Sequence, residues 1–198
     1  VTYKGSAYTA ADGILAWSVS PAPALGTDYK AVFSNNVNAG NATVTVSALS
    51  DAYAGSVTKV FSILPRDLSD SAVSKQVTGL TYTGQNLKPA PTLTYAGATL
   101  VEGTDFTTTV SEQVVAAGSH SLKVAGKGSY TTETTTGGTA ENPTTHTEVT
   151  FVTAGNYCGE ATVDYTVGKA DIADAEITIS NRPQTGAVIN PLDQASIA

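Results

Sequence analysis

The feature of this sequence that most constrains its fold is an internal repeat, in which four landmarks occur twice in the same order. The paired landmarks, in chain order, are Val1–Gly5 with Leu80–Gly84, Gly26–Tyr29 with Gly103–Phe106, Ala39–Val46 with Ala117–Val124, and Tyr53–Ile63 with Tyr157–Val167. A repeated order of this kind is the signature of stacked, similar supersecondary units. The sequence therefore predicts two modules of one design.

The junctions between modules are also repeated. Asp67-Leu68-Ser69-Asp70 matches Asp171-Ile172-Ala173-Asp174, and a Gln184-Thr185-Gly186 triplet follows where a third Tyr-x-Gly is due. These matches predict a first module at 1–66, a second at 67–169 and the start of a third at 170–198. Since the pattern continues to the last residue, we expect the chain to be a piece of a longer protein.

Alternation of apolar and polar residues predicts strands with one buried face. It is clear in Thr43–Val46, Thr58–Ile63 and Thr162–Val167, and we extend the prediction to Ile14–Val19, the run that carries Trp17. No apolar stripe with helical spacing is longer than about two turns, so helix is confined to a short turn near 67–71. The predicted fold class is all-β.

The Gly-Thr-Asp elements are expected to break strands. Glycine accepts a positive φ, and aspartate can bond its own backbone two residues on. Tyr29 and Phe106, which follow directly, should then begin the next strands and face the core. Asn35–Gly40 is rich in residues that tolerate the left-handed region, which predicts a hairpin connection.

An insertion at about 131–155 makes the second module longer. Two Thr-rich, strand-like runs flank a turn-like centre at Gly137–Pro143, which predicts a protruding hairpin. Insertions in repeats map to one face, which is sometimes the binding face; the candidate recognition residues are Thr136, Glu141, Asn142 and His146. The alternative is a tolerated loop expansion, because lengthening a loop has a small entropic cost.

Composition excludes several classes of protein. The chain has 17 acidic and 10 basic residues for a net charge of −7, and its lysines and arginines are scattered. Nucleic-acid binding and attraction to an anionic membrane both need clustered positive charge, so we expect neither partner. No apolar run reaches the roughly 20 residues of a membrane-spanning helix, and no membrane insertion is expected.

No constellation of residues predicts catalysis, a metal site or a cofactor. His120 and His146 are the two histidines, and neither has a partner at zinc-ligand spacing. A Gly-x-Ser-x-Gly nucleophile turn is absent from the sequence. Cys158 stands where the first module has Ala54, which favours a small-residue position over a reactive thiol or an intermolecular disulfide. Trp17 is interpreted as a core or interdomain residue.

Two stabilising devices remain open from sequence. The pairs Asp67/Asp70 and Asp171/Asp174 lie at module junctions, where calcium could stiffen the chain, although both pairs could equally form turns or caps. Lys4, Lys59 and Lys123 are candidates for isopeptide crosslinks to asparagine.

The ordered motifs resemble a known family, the MBG-type repeats, also described as YDG- or YGX-type, which recur in tandem in large bacterial cell-surface proteins. The landmark residues that carry the resemblance are Tyr3, Gly5, Gly26, Asp28, Tyr82, Gly84, Gly103 and Asp105. The long insertion and Gln184 depart from the family pattern. The resemblance implies an extracellular location at the bacterial surface or cell wall. It also implies Ig-like β-sandwich or β-grasp-like modules in an elongated arrangement, with no catalytic residues.

Three classes of function follow. The first is a non-catalytic stalk or spacer, which repetition and Thr-rich strands favour. The second is an adhesin module that binds a host glycan or protein, through the 131–155 insertion or exposed tyrosines. The third is an accessory domain of an enzyme. We also expect that 170–198, a module start without its remainder, could exchange a strand with a second copy of the chain.

Overall fold

The computed structural model describes residues 1–110, 113–139, 142–178 and 196–197. Their regular structure is β-strand apart from two single-turn 3-10 helices at Ala10–Asp12 and Ile172–Asp174, which confirms the predicted all-β class. The strands are β1 Tyr29–Ser34, β2 Gly40–Ala48, β3 Ser56–Ile63, β4 Arg66–Asp67, β5 Ser74–Gln76, β6 Thr92–Tyr95, β7 Ala98–Thr99, β8 Phe106–Thr109, β9 Gly118–Gly126, β10 Ser129–Thr139, β11 Asn142–Thr153, β12 Tyr157–Cys158, β13 Glu160–Val167, β14 Ile177–Thr178 and β15 Ser196–Ile197.

The sequence repeat is a structural repeat. The antiparallel sheet β1-β2-β3 has a counterpart in β8-β9-β13, with the same strand order. The registers also correspond: Tyr29 pairs with Ala48 as Phe106 pairs with Gly126. Two similar sequences therefore fold into the same three-stranded sheet. We call the first predicted module, 1–66, which contains the sheet β1-β2-β3, unit 1. The second predicted module, 67–169, which contains the sheet β8-β9-β13, is unit 2.

The Gly-Thr-Asp turns are built alike in both units. Gly26 and Gly103 have φ of 82° and 83°, and the Asp28 and Asp105 carboxylates accept from the backbone N–H groups of Ala24 and Val101. The aspartate therefore bonds four residues back along the chain rather than two residues on, as the sequence suggested. The turn delivers Tyr29 and Phe106 into buried positions at the start of β1 and β8, as predicted.

Unit 2 contains the larger core. A second antiparallel sheet, β5-β6-β7, contributes Leu93 and Tyr95 to the same cluster as Leu122, Val124 and Val163 of the β8-β9-β13 sheet. In unit 1 the buried cluster consists of Tyr8, Ala42 and Ile63, with Tyr3, Ile14 and Phe61 packed against it. Hydrophobic stabilisation scales with buried apolar area, so unit 2 is the more strongly stabilised unit.

The predicted strand at Ile14–Val19 is wrong. This segment has no strand structure, although it corresponds in the repeat to β6 of unit 2. In unit 2 the strand exists because β6 pairs with β5 on one side and β7 on the other. Among the described residues of unit 1, no strand pairs with Ile14–Val19, and its backbone runs irregularly over the sheet.

The junction aspartates form turns. Asp67 and Asp171 each accept from the backbone N–H two residues on, at Ser69 and Ala173. At 67–71, where at most a short helical turn was expected, the chain makes hydrogen-bonded turns and no helix. After Asp171 the same bond caps a single 3-10 turn.

The insertion folds as the hairpin β10-β11, paired from Ser129↔Thr153 to Thr139↔Asn142. Side chains of 131–137 and 145–148 are exposed, so the hairpin adds little to the core. In the C-terminal segment, β14 pairs with β15 of the same chain; strand exchange through 170–198 stays a prediction.

Candidate functional site

The strongest candidate site is the contact between the two units, which we call the joint. Its position follows from the first Tyr-x-Gly segment of each unit, Tyr3–Gly5 in unit 1 and Tyr82–Gly84 in unit 2. In unit 1, Tyr3 donates its N–H to the Leu64 carbonyl and Leu64 donates to Val1. In unit 2, Tyr82 donates to Gly168 and Gly168 donates to Leu80. Each segment is thus bonded, in parallel, to the residue that follows the closing strand of its own unit. This pairing holds both tyrosines at the end of a unit.

Tyr3 packs against two tyrosines of unit 2, Tyr95 and Tyr157. Its ring lies 5.5 Å from the Tyr157 ring at an interplanar angle of 78° and 6.2 Å from the Tyr95 ring. Tyr95 and Tyr157 also meet edge to face, at 6.2 Å and 86°. Edge-to-face pairs at such separations stabilise by about 0.5–1.5 kcal/mol each beyond their buried area. The three rings, together with Arg66, form what we call the joint cluster.

Arg66, in the short link between the units, clamps this cluster. Its Nε and Nη2 donate to the Tyr3 carbonyl at 3.2 and 3.0 Å, and its guanidinium lies 5.0 Å from the Tyr95 ring centroid. A third bond runs from Nη1 to Asp70 at 2.6 Å. A planar guanidinium can make these contacts at once, whereas an ammonium cannot reproduce the two-pronged bond.

Asn156 makes a second line of contacts across the joint. Its Oδ1 accepts from the Ala39 N–H at 2.9 Å, and its Nδ2 donates to Asn38 at 3.1 Å. Its carbonyl accepts from the Arg66 N–H, and the next residues continue as the parallel β4–β12 pair. Backbone and side-chain bonds therefore cross the joint beside the aromatic contacts.

A glycine allows the close approach of the two units. A Cβ added to Gly5 would lie 3.0 Å from the Ala96 Cβ, and Gly5 has a φ of +79°. Ala96 and Gly97 form the left-handed turn between β6 and β7. The glycine of Tyr-x-Gly thus serves both the local backbone and the packing of unit 1 on unit 2.

Burial in the joint changes the acidity of two groups. It raises the pKa of the Tyr157 hydroxyl, and the neighbouring Tyr3 adds to the shift. Burial, followed by the Asp67 carboxylate, raises the pKa of the Cys158 thiol, whose Sγ lies 3.6 Å from the Pro65 carbonyl oxygen. A raised thiol pKa disfavours the reactive thiolate. These groups are suited to packing in their neutral forms.

The sequence-predicted landmarks are divided between two roles. Tyr3 and Gly5 belong to the joint, whereas Tyr82 and Gly84 occupy the equivalent place at the far end of unit 2. Gly26, Asp28, Gly103 and Asp105 form the two equivalent turns. Sequence reasoning missed Arg66 and Asn156, because the other junction has Ala170 in the position of Arg66. The charge of Arg66, which lies where the two repeat units join, was the available signal.

The candidate recognition residues of the hairpin do not converge. His146 is paired with Thr135, and Thr136 with Thr145, so His146 and Thr136 lie on opposite faces of the two-stranded ribbon. Both are exposed. Asn142 begins β11, and Glu141 lies outside the described residues. The ribbon offers an exposed surface rather than a pocket.

Other chemistry-bearing residues are engaged elsewhere. His120 bonds the Ala116 carbonyl and stacks on Tyr165. Lys4 pairs with Asp12, and Lys59 and Lys123 are exposed. Within the described ranges, no three His, Cys, Asp or Glu side chains are grouped as a metal site would need. The described residues also include no helix long and apolar enough to cross a membrane.

Comparisons of the chain with protein-family models, with curated proteins and with solved structures gave no match.

Proposed function

We propose that this chain is a non-catalytic spacer: tandem β-modules that extend a bacterial cell-surface protein of the MBG-type and act by holding a fixed geometry. The observation that carries the proposal is the joint cluster. A spacer of fixed geometry has to hold each module in a defined orientation relative to the next. A direct contact between modules limits how far they can move relative to each other.

Two further features support this role. The same three-stranded sheet is built twice, as is typical of repeat proteins, in which each unit contacts its neighbours. The polar faces of the strands carry Ser and Thr, with cross-strand bonds such as Thr45–Thr58 and Ser47–Ser56. Such faces are hydrated without a high charge, which agrees with an extracellular location.

Small-angle X-ray scattering tests the proposal. The double variant Tyr3→Ser/Arg66→Ala removes the Tyr3 ring and the guanidinium clamp. We expect a broadened distance distribution and a larger radius of gyration, because the Asn156 hydrogen bonds that remain do not fix the orientation of the units by themselves. Tyr82→Ser, the same change at the equivalent tyrosine, is the matched control and should scatter like the unmodified chain. An unchanged profile for the double variant would contradict the proposal.

The second candidate function is adhesion through the hairpin, favoured by the exposure of its side chains over 131–137 and 145–148. Binding to host-cell glycans or surface proteins, measured with and without the hairpin, tests this candidate. Loss of binding on deletion supports adhesion through β10-β11, and binding that survives deletion assigns it elsewhere.

A further inference from the structure

Unit 1 has an apolar cleft with two exposed aromatic side chains at its mouth. The cleft has a volume of about 220 Å³, and its lining includes Trp17, Tyr29, Tyr53, Val46 and Val57. A cavity of about 150 Å³ can hold a benzene ring, so this cleft can take one aromatic side chain. We call it the aromatic cleft.

The repeat identifies the aromatic cleft as the counterpart of the place that Tyr3 occupies in unit 2. Tyr53 corresponds to Tyr157 in the Tyr-x-Gly before the closing strand, and Trp17 corresponds to Tyr95. Asp28, which also lines the cleft, corresponds to Asp105, whose charge acts on Tyr157 in unit 2. The residues that receive Tyr3 in one unit therefore surround a cleft in the other.

The exposed fractions of the equivalent side chains differ sharply. Tyr95 and Tyr157 are 8% and 4% exposed beneath Tyr3, whereas Trp17 and Tyr53 are 37% and 38% exposed. Large aromatic side chains at interfaces gain most when they are fully desolvated. Unit 1 thus presents the receiving surface of a joint.

The inserting surface is presented by unit 2. Tyr82 is 42% exposed, and its backbone is bonded to Gly168 as that of Tyr3 is bonded to Leu64. Gly84 has a φ of 75°, close to the 79° of Gly5. The Tyr82 segment therefore has the backbone shape of the segment that already fills a joint in this chain.

We propose that the aromatic cleft of unit 1 is a docking site for the Tyr82 segment of a second copy of this chain. The contact repeats the internal joint between molecules: Tyr82 packs against Trp17 and Tyr53 as Tyr3 packs against Tyr95 and Tyr157. Because the two surfaces are different and lie on different units, the association is head to tail and can continue. The inference rests on the proposed spacer function, which supplies the internal joint as its template.

The intermolecular contact is weaker than the internal one because it lacks both a counterpart of the Arg66 clamp and a covalent link between the two units. The position of Arg66 is Ala170 at the second junction, so that position supplies no guanidinium to clamp the Tyr82 carbonyl as Arg66 clamps that of Tyr3. The two copies also lack the covalent link that raises the effective concentration of the internal joint. Association is therefore expected only at high protein concentration.

Trp17 is the single tryptophan of the chain, so its fluorescence reports directly on the cleft. We expect the emission maximum to move to shorter wavelength as concentration rises, in step with a rising weight-average sedimentation coefficient. Tyr82→Ser should abolish both changes. Val152→Ser removes an exposed apolar side chain from the hairpin and should leave both unchanged.

Every outcome of this experiment decides the matter. A monomer at all concentrations, or association that Tyr82→Ser leaves intact, overturns the proposal. An emission shift caused by added glycans without self-association also overturns it, in favour of a ligand site. Since the Tyr3→Ser/Arg66→Ala scattering test concerns the internal joint alone, the spacer function can stand when this docking proposal fails.

Discussion

The Tyr3 ring meets the Tyr157 ring edge to face at 5.5 Å, and this pair joins residues that belong to different repeat units. Tyr3 is held by the end of the closing strand of unit 1, and Tyr157 lies directly before the closing strand of unit 2. The contact therefore couples the two sheets through the elements that complete each of them.

Replacing Arg66 with lysine should weaken the joint although the charge is kept. The two bonds from Nε and Nη2 to the Tyr3 carbonyl and the contact with the Tyr95 ring depend on the planar guanidinium. We expect Arg66→Lys to lower the free energy of unfolding by about 1–2 kcal/mol, as measured by urea denaturation. Tyr95→Phe removes one donor at 3.3 Å and should cost less; a lysine variant as stable as the original contradicts the clamp.

Much of the fold was predictable from local pattern. Alternation in Thr43–Val46 predicts which side chains face the core, because period two is imposed by the pleat, and the buried Val44 confirms it. The strand at Ile14–Val19 was mispredicted because its formation does not depend on the local pattern alone. A strand needs a partner strand, and pairing is a tertiary property that a local run of residues does not contain.

The candidate site was only half predictable. Repetition pointed to Tyr3 and Gly5, since each recurs in the second unit. Arg66 and Asn156 act at a contact that occurs once among the described residues, so no repeat could reveal them. The direction of the Asp28 bond also differed, because the same carboxylate can reach backbone N–H groups before or after it in a turn.

Gly159 and Gly55 form a matched pair for a test of the β4–β12 contact. Both have positive φ, at 71° and 91°, so alanine strains either by about 1 kcal/mol. At Gly159 alone, the new Cβ would lie 2.5 Å from the Asp67 Oδ1, which bonds the Ser69 N–H. We expect Gly159→Ala to cost about 1–3 kcal/mol more than Gly55→Ala in thermal or urea unfolding.

A double variant separates the two contributions at Gly159. In an Asp67→Ala background the clash is removed, and Gly159→Ala should then cost about as much as Gly55→Ala. An equal cost of the two glycine substitutions in the original chain would show that Asp67 moves aside freely.

Alkaline pH should destabilise the chain through its buried acids. Burial raises the folded-state pKa values of Tyr157, Tyr165 and Cys158 above their ordinary values of 10.0, 10.0 and 9.0. The unfolded state therefore releases these protons first as the pH rises, and the free energy of unfolding falls from about pH 9 upward. Melting temperatures measured from pH 7 to pH 11 should show the fall. Tyr157→Phe should reduce it, and an unchanged slope in that variant contradicts the assignment.

Removing the hairpin should leave the core intact. Thr131 and Thr150 are paired, so an Asn-Gly turn placed between them replaces 132–149 without changing the register. We expect the melting temperature to move by no more than a few degrees, because no side chain in 132–137 or 145–149 is fully buried. A large loss of stability by calorimetry would mean that β10-β11 supports the second sheet.

The most direct test of the account measures the distance between the two units. Nitroxide labels at Thr58 and Thr166, on β3 and β13, report it by double electron–electron resonance in a Cys158→Ala background, an alanine being the natural residue at the equivalent position 54. We predict one narrow distance distribution, which becomes broad when Tyr3→Ser and Arg66→Ala are added. A distribution that is already broad with the joint cluster intact, or that stays narrow after Tyr3 and Arg66 are replaced, contradicts the central claim that the joint cluster fixes one unit on the other.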